Sequence, residues 1–243
     1  MVLRRDAAGV VAIGQPSHAW LSGQLARAWG NDAVAPPDPF DEVCLAAEQH
    51  DIGMAEWDLR PSLNPGTGLP HSFMEMPLDV HLELWSAAAG KLVRQSAYAA
   101  LLVSMHGTAL YEMRDLERMD PGDAAKVRRF FAERRAEQDE LLAALGLDRD
   151  AVHRNQRLVW TWDYLSLALC LDWAPDRGPD GVRIEPAGDM RVAVDPWPFA
   201  GDSLTVRCEG RRLEGGYPAE ADLHAALERA PLVRLAWTLV RSG

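Results

Sequence analysis

The sequence predicts a mainly α fold: a helical domain over residues 1–175, followed by a small C-terminal α+β appendage with an antiparallel sheet over 182–243. Two observations carry this expectation. Apolar residues recur at helical spacing from about Gln15 to Trp173, and after Pro175 the pattern changes to short alternating runs. A third is size. At 243 residues, 48% apolar and 25% charged, the chain suits one large soluble domain with or without an appendage.

The elements follow in order. Val10 to Ile13 reads as a short strand. Gln15-Pro16-Ser17-His18 then opens a helix that ends at Gly30, with Leu21, Leu25, Ala28 and Trp29 on its apolar face and His18 among them. Asn31 to Pro39 is too rich in proline to be helical. Asp41 is the expected cap of the next helix, whose Val43, Ala46, Ala47 and His50 fall at i, i+3, i+4 and i+7. Gly53 is expected to let the chain turn away. Ile52 to Pro77 is a long irregular stretch anchored by Trp57, Leu59, Leu63, Leu69 and Phe73, read as an ordered loop that covers something.

Helices are expected over Leu78 to Arg94 and Gln95 to Tyr111. A long one runs from Asp120-Pro121 to Gly146, with Val127, Phe130, Phe131, Leu141, Leu142 and Leu145 inside and a solvated Arg/Glu face outside. Asp148 caps the last, which reaches about Trp173. Asp176 to Asp180 reads as a linker. Val182 to Ile184, Met190 to Val194, Leu204 to Cys208 and Leu232 to Val240 read as strands, Gly210 as a hairpin turn before Arg211 to Leu213, and Ala219 to Ala230 as a short helix.

Composition narrows function. A net charge of −11 argues against nucleic acid or an anionic membrane as partner. The longest apolar stretch, Leu158 to Trp173, carries Asp163 and Asp172 and is too short to span a bilayer. The run Ala7 to Ile13 is not a signal peptide. Cys44, Cys170 and Cys208 are odd in number and lack CxxC spacing, as in a reduced cytoplasmic protein. No phosphate-binding glycine loop is present, and neither Ser22 nor Ser104 sits in a nucleophile elbow.

The chemistry lies in polar residues on apolar helix faces: His18, His50 with Asp51, His81, His106 and Asp163, from five helices. A buried carboxylate costs several kcal/mol unless it is paired or bound to a metal. Imidazole and carboxylate without thiolate suit a divalent transition metal, whether Fe, Mn, Ni, Co or Zn.

The order His18, His50-Asp51, Asp163, each on its own helix, resembles the HD-domain superfamily of metal-dependent phosphohydrolases over roughly residues 10–175. The resemblance implies an HD-domain-like helical bundle holding one ion on His18, His50, Asp51 and Asp163. In the dinuclear branch Asp51 would bridge a second ion held by His81 and His106. Gln15-Pro16-Ser17-His18, His50-Asp51-Ile52-Gly53, Leu102 to Gly107, Asp163 to Leu167 and Pro196-Trp197-Pro198-Phe199 also resemble an uncharacterised bacterial family of HD-like proteins. Met54 stands where many HD phosphodiesterases carry lysine, and His106 is followed by Gly107 rather than a second histidine.

The resemblance implies hydrolysis of a small phosphorylated or nucleotide-type substrate, with Asp51 or Asp163 orienting the water. The same ligands resemble the di-iron oxygenases that cleave polyols or phosphonates; a non-catalytic metal-sensing role is the third expectation. Arg27, Arg94, Arg154 and Arg157 are candidate phosphate contacts, Trp20 and Trp160 candidate pocket walls, and His71 a loop residue that can reach the site. The expected partner is a small molecule, and a homodimer through the appendage or the Arg/Glu helix is left open.

Overall fold

The computed structural model describes residues 1–173 and 178–242. A hairpin of β1 (Val2–Asp6) and β2 (Gly9–Ile13) leads into α1 (Gln15–Ala28), α2 (Phe40–Gln49) and the short α3 (Ala55–Leu59). A two-stranded ribbon, β3 (Leu63–Asn64) and β4 (Leu69–Pro70), precedes α4 (Leu78–Leu92), α5 (Ala97–Glu112), α6 (Pro121–Leu145) and α7 (Arg149–Leu171). The chain continues through β5 (Arg183–Gly188), β6 (Arg191–Asp195), β7 (Ser203–Leu213), α8 (Glu220–Arg229) and β8 (Leu232–Arg241). The linker expected over 176–180 begins on residues outside those described.

Helices make up 53% of the protein, yet the fold is mixed α/β, not a mainly α bundle with a small antiparallel appendage. Six strands in the order β1-β2-β7-β8-β6-β5 curl into half a barrel, and they come from both ends of the chain. The β6–β8 pairing is parallel and the others are antiparallel. β1 carries no clear strand signal because Arg4 and Arg5 interrupt its alternation. Arg4 is buried all the same. Its guanidinium donates to the carbonyls of Leu169 (2.9 Å) and Cys170 (3.4 Å) and pairs with Asp172 (3.3 Å), so a charged strand residue satisfies the end of α7.

Gly210 turns no hairpin. β7 runs through it for 11 residues, with Gly210 opposite Ile13 on one side and Val233 on the other. A side chain there would meet Val11 Cγ1 at 2.6 Å and the Ala12 carbonyl at 2.9 Å, so glycine supplies space rather than a turn. Asp120 and Asp148 cap α6 and α7 through their side chains. α2 instead starts at Phe40, which leaves Asp41 in its first turn, facing the helix dipole, and not at the cap.

One apolar core runs from Leu21, Leu25, Leu102 and Trp162 of the helices to Val206 and Trp237 of the sheet. β2 covers β7 only at residues 210–213. Beyond that, α1 takes over. Ser17 Oγ donates to the Glu209 carbonyl (2.7 Å) and accepts from its N–H (2.9 Å), and Gln24 bonds both backbone groups of Arg207 (2.8 and 3.1 Å). These side chains finish the open flank of a strand, and they fix α1 one residue from His18. Among the described residues, no helix is long and apolar enough to cross a membrane.

Candidate metal centre

His18 of α1, His50 at the end of α2, Asp51 beyond it, His106 of α5 and Asp163 of α7 converge in the core, all buried. His50 Nε2 lies 3.2 Å from Asp163 Oδ1 and 3.5 Å from Asp51 Oδ2. His18 Nε2 lies 2.6 Å from Asp51 Oδ2 and 3.9 Å from Asp163 Oδ1, and His106 Nε2 lies 3.4 Å from Asp163 Oδ2. Two ligands each about 2.1 Å from one ion are roughly 3–4 Å apart. The donor atoms of His18, His50 and Asp163 all fall within 4.8 Å of one another, and this buried group can hold a metal ion.

The hydrogen-bond network assigns the tautomers. His50 Nδ1 donates to the Ala47 carbonyl (2.8 Å), which leaves the lone pair on Nε2, a buried atom with no hydrogen-bond partner among the described residues. Ser166 Oγ donates to the Asp163 carbonyl (2.8 Å) and so accepts from His18 Nδ1 (2.8 Å), with Ser22 Oγ 2.9 Å away. In neutral His18 the Nε2 lone pair then faces a carboxylate oxygen. Two such acceptors 2.6 Å apart need a proton or a cation between them.

The charges agree. Burial pulls the His50 pKa down, but the Asp51 and Asp163 carboxylates overcome it and hold that pKa well above its ordinary value. Burial likewise opposes ionisation of both carboxyls, yet the facing imidazoles keep Asp51 well below the usual carboxylate range and Asp163 below it too. The cluster thus favours positive charge at its centre.

His81 stands apart from this group. It lines the same cleft, but its Nε2 accepts from Trp85 Nε1 (3.0 Å) and its Nδ1 bonds the Tyr111 hydroxyl. Burial pushes its pKa down to about 4. The cleft has a volume of about 200 Å³ and opens onto His18, Asp51, His106 and Asp163. Phe73 and Met74, from the long loop after Asp51, form part of its wall. Gly53 lets that loop leave the site, though not by a left-handed turn. The Leu84 carbonyl of α4 lies against its Cα, where no side chain fits.

Two polar cleft residues, Gln15 and Arg114, were given no role by the sequence pattern, although Gln15 opens the Gln15-Pro16-Ser17-His18 motif. Arg114 lies two residues past the end of α5, eight residues on from His106 and four from Leu110. Three of the expected arginines are engaged elsewhere. Arg27 pairs with Glu48 (3.0 Å), Arg154 donates to the carbonyls of Ala35 and Pro36, and Arg157 pairs with Asp180. Arg94 is exposed in the turn that follows α4. Trp160 packs on His106 (centroids 5.4 Å apart), Trp20 lies under the Arg207 guanidinium, and His71 bonds Ser62 rather than the site.

The model of a family described as a protein of unknown function, DUF3891, matches residues 1–215. No curated protein and no solved structure matches the chain.

Proposed function

We propose that this chain, which belongs to the DUF3891 family of unknown function, is a metal-dependent hydrolase of a small phosphorylated or nucleotide-type substrate. The observation that carries this reading is the orphaned, fully buried His50 Nε2, aimed at two carboxylates whose other neighbours are imidazoles. The donor set fits one divalent transition ion, Fe, Mn, Ni, Co or Zn, held by His18, His50, Asp51 and Asp163, with His106 against the second Asp163 oxygen. When bound, such an ion supplies a Lewis acid and lowers the pKa of an adjacent water.

The chain's own groups do the rest. Asp163 Oδ2, on the cleft side with His106, is an acceptor placed to orient the attacking water. Asp51, the oxygen shared by His18 and His50, keeps both rings in place. Phe73, Met74, Leu110 and Leu167 narrow the cleft and limit bulk water. The dioxygen-activating alternative needs a second ion on His81, and the bonds of His81 to Trp85 and Tyr111 favour the hydrolytic reading.

Elemental analysis of anaerobically purified protein tests this, followed by a panel of phosphomonoesters and nucleotides. About one divalent ion per chain, with metal-dependent phosphate release, is expected. Protein that takes up no ion on reconstitution, or that consumes dioxygen and releases no phosphate, overturns it.

A further inference from the structure

We propose that Arg114 is the residue that recognises the substrate at this cleft, and that it selects a compact anion of phosphate type. The inference rests on the hydrolase reading above and names its substrate class. Arg114 follows the last turn of α5, where its N–H donates to the Tyr111 carbonyl (3.0 Å). His106 and Leu110 of α5 and Arg114 just past its end all line the cleft, so this stretch carries a buried candidate ligand and an exposed guanidinium. The guanidinium lies over the Tyr111 ring, 4.7 Å from its centroid. Stacking fixes its plane and leaves its fork of N–H donors open.

Charge singles this residue out. The chain has 36 acidic and 25 basic side chains, and most arginines around α5 and α6 sit against an acid: Arg128 on Glu117, Arg134 on Glu137, Arg135 on Glu112. Among the described residues no carboxylate pairs with Arg114, and Arg114 is the one lysine or arginine lining the cleft. A planar fork facing a metal-binding group matches the oxygens of a phosphoryl group better than those of a diffuse anion. Gln15 also lines the cleft and is buried, with Oε1 lacking any partner among the described residues. That acceptor suits a hydroxyl or amino group on the same small molecule. About 200 Å³ admits a phosphate with a short body and leaves any larger group outside.

Inorganic phosphate is the probe. It is titrated calorimetrically into metal-loaded wild type, Arg114→Gln, Arg114→Lys and the control Arg118→Gln, with acetate as a second titrant and the metal content of each preparation counted. Arg114→Gln is expected to weaken phosphate at least about tenfold. Arg114→Lys should recover part of the loss, because it keeps the charge without the fork. Metal content should be unchanged throughout, and with a turned-over phosphomonoester KM should rise more than kcat. Wild-type phosphate affinity in Arg114→Gln overturns the proposal, as does acetate binding tighter than phosphate. A metal-free wild type overturns the hydrolase reading instead, and titration of that metal-free protein still decides the role of Arg114.

Discussion

Ser166 decides which nitrogen of His18 faces the centre. With its own proton committed to the Asp163 carbonyl, it can only accept from His18 Nδ1. Ser166→Ala should therefore leave the fold intact by circular dichroism and weaken metal binding by about 10–100-fold in a chelator competition. Asp163→Ala should lose the ion altogether, and full metal content in that variant would sink the assignment. His81 gives a different signature. Burial holds its pKa near 4 in the folded state against 6.5 for the free group, so between those values the unfolded chain binds more protons. Its contribution to stability is complete above pH 6.5 and is lost as the pH falls towards 4, a change of up to ~3 kcal/mol. Urea unfolding of metal-free wild type and His81→Gln at pH 7.5 and 4.5 should show this slope as the difference between the two proteins, because the opposing contribution of His50, whose pKa is raised, is common to both. His18, His50, Asp51, His106 and Asp163 were legible because a polar residue on an apolar helix face needs a partner. His81 shares that spacing, but spacing does not show that Trp85 and Tyr111 take its nitrogens. Arg114 stands among Glu112, Asp115 and Glu117, past the end of the periodic pattern of α5, and nothing in that stretch marks it as facing a cleft.

The helices owe their placement to a few close contacts. Behind the His-Asp pair, a methyl group on Gly53 would run into the Leu84 carbonyl, a backbone atom that cannot swing aside. Gly53→Ala should destabilise the protein by about 1–3 kcal/mol in urea unfolding, and it should reduce metal affinity as well, because the turn that moves begins at Asp51. Ser17→Ala should cost about 1–3 kcal/mol by the same measurement, since both backbone groups of Glu209 lose a partner. The longer helices were readable from periodicity, and the starts of α6 and α7 from Asp120 and Asp148; the short α3 was not, since it lies inside the stretch that reads as an irregular loop. The start of α2 was not, because its acidic first turn resembles a cap. Neither was the meaning of Gly53 or Gly210. A glycine looks the same in sequence whether it supplies a turn or room for a neighbour.

Across the molecule, the sheet joins what the sequence pattern divides. Alternation in the last 60 residues marked most of its strands, but register and partners are long-range properties. Nothing local shows that β2 lies beside β7, or that a strand bearing Arg4 closes one edge. Arg4→Met should remove the guanidinium from the Leu169 and Cys170 carbonyls and lower the melting temperature by several degrees, read by scanning calorimetry. The strand order has a further consequence, in time rather than in space. β8 lies between β7 and β6, and β2 pairs with a strand some two hundred residues further along the chain. The sheet therefore cannot zip up hairpin by hairpin from one end. β6, though paired with β5, and β7, though paired with β2, must each wait with one flank open until residues 232–241 slide between them, so refolding should be slow and concentration-sensitive while the helices, built from local contacts, form early.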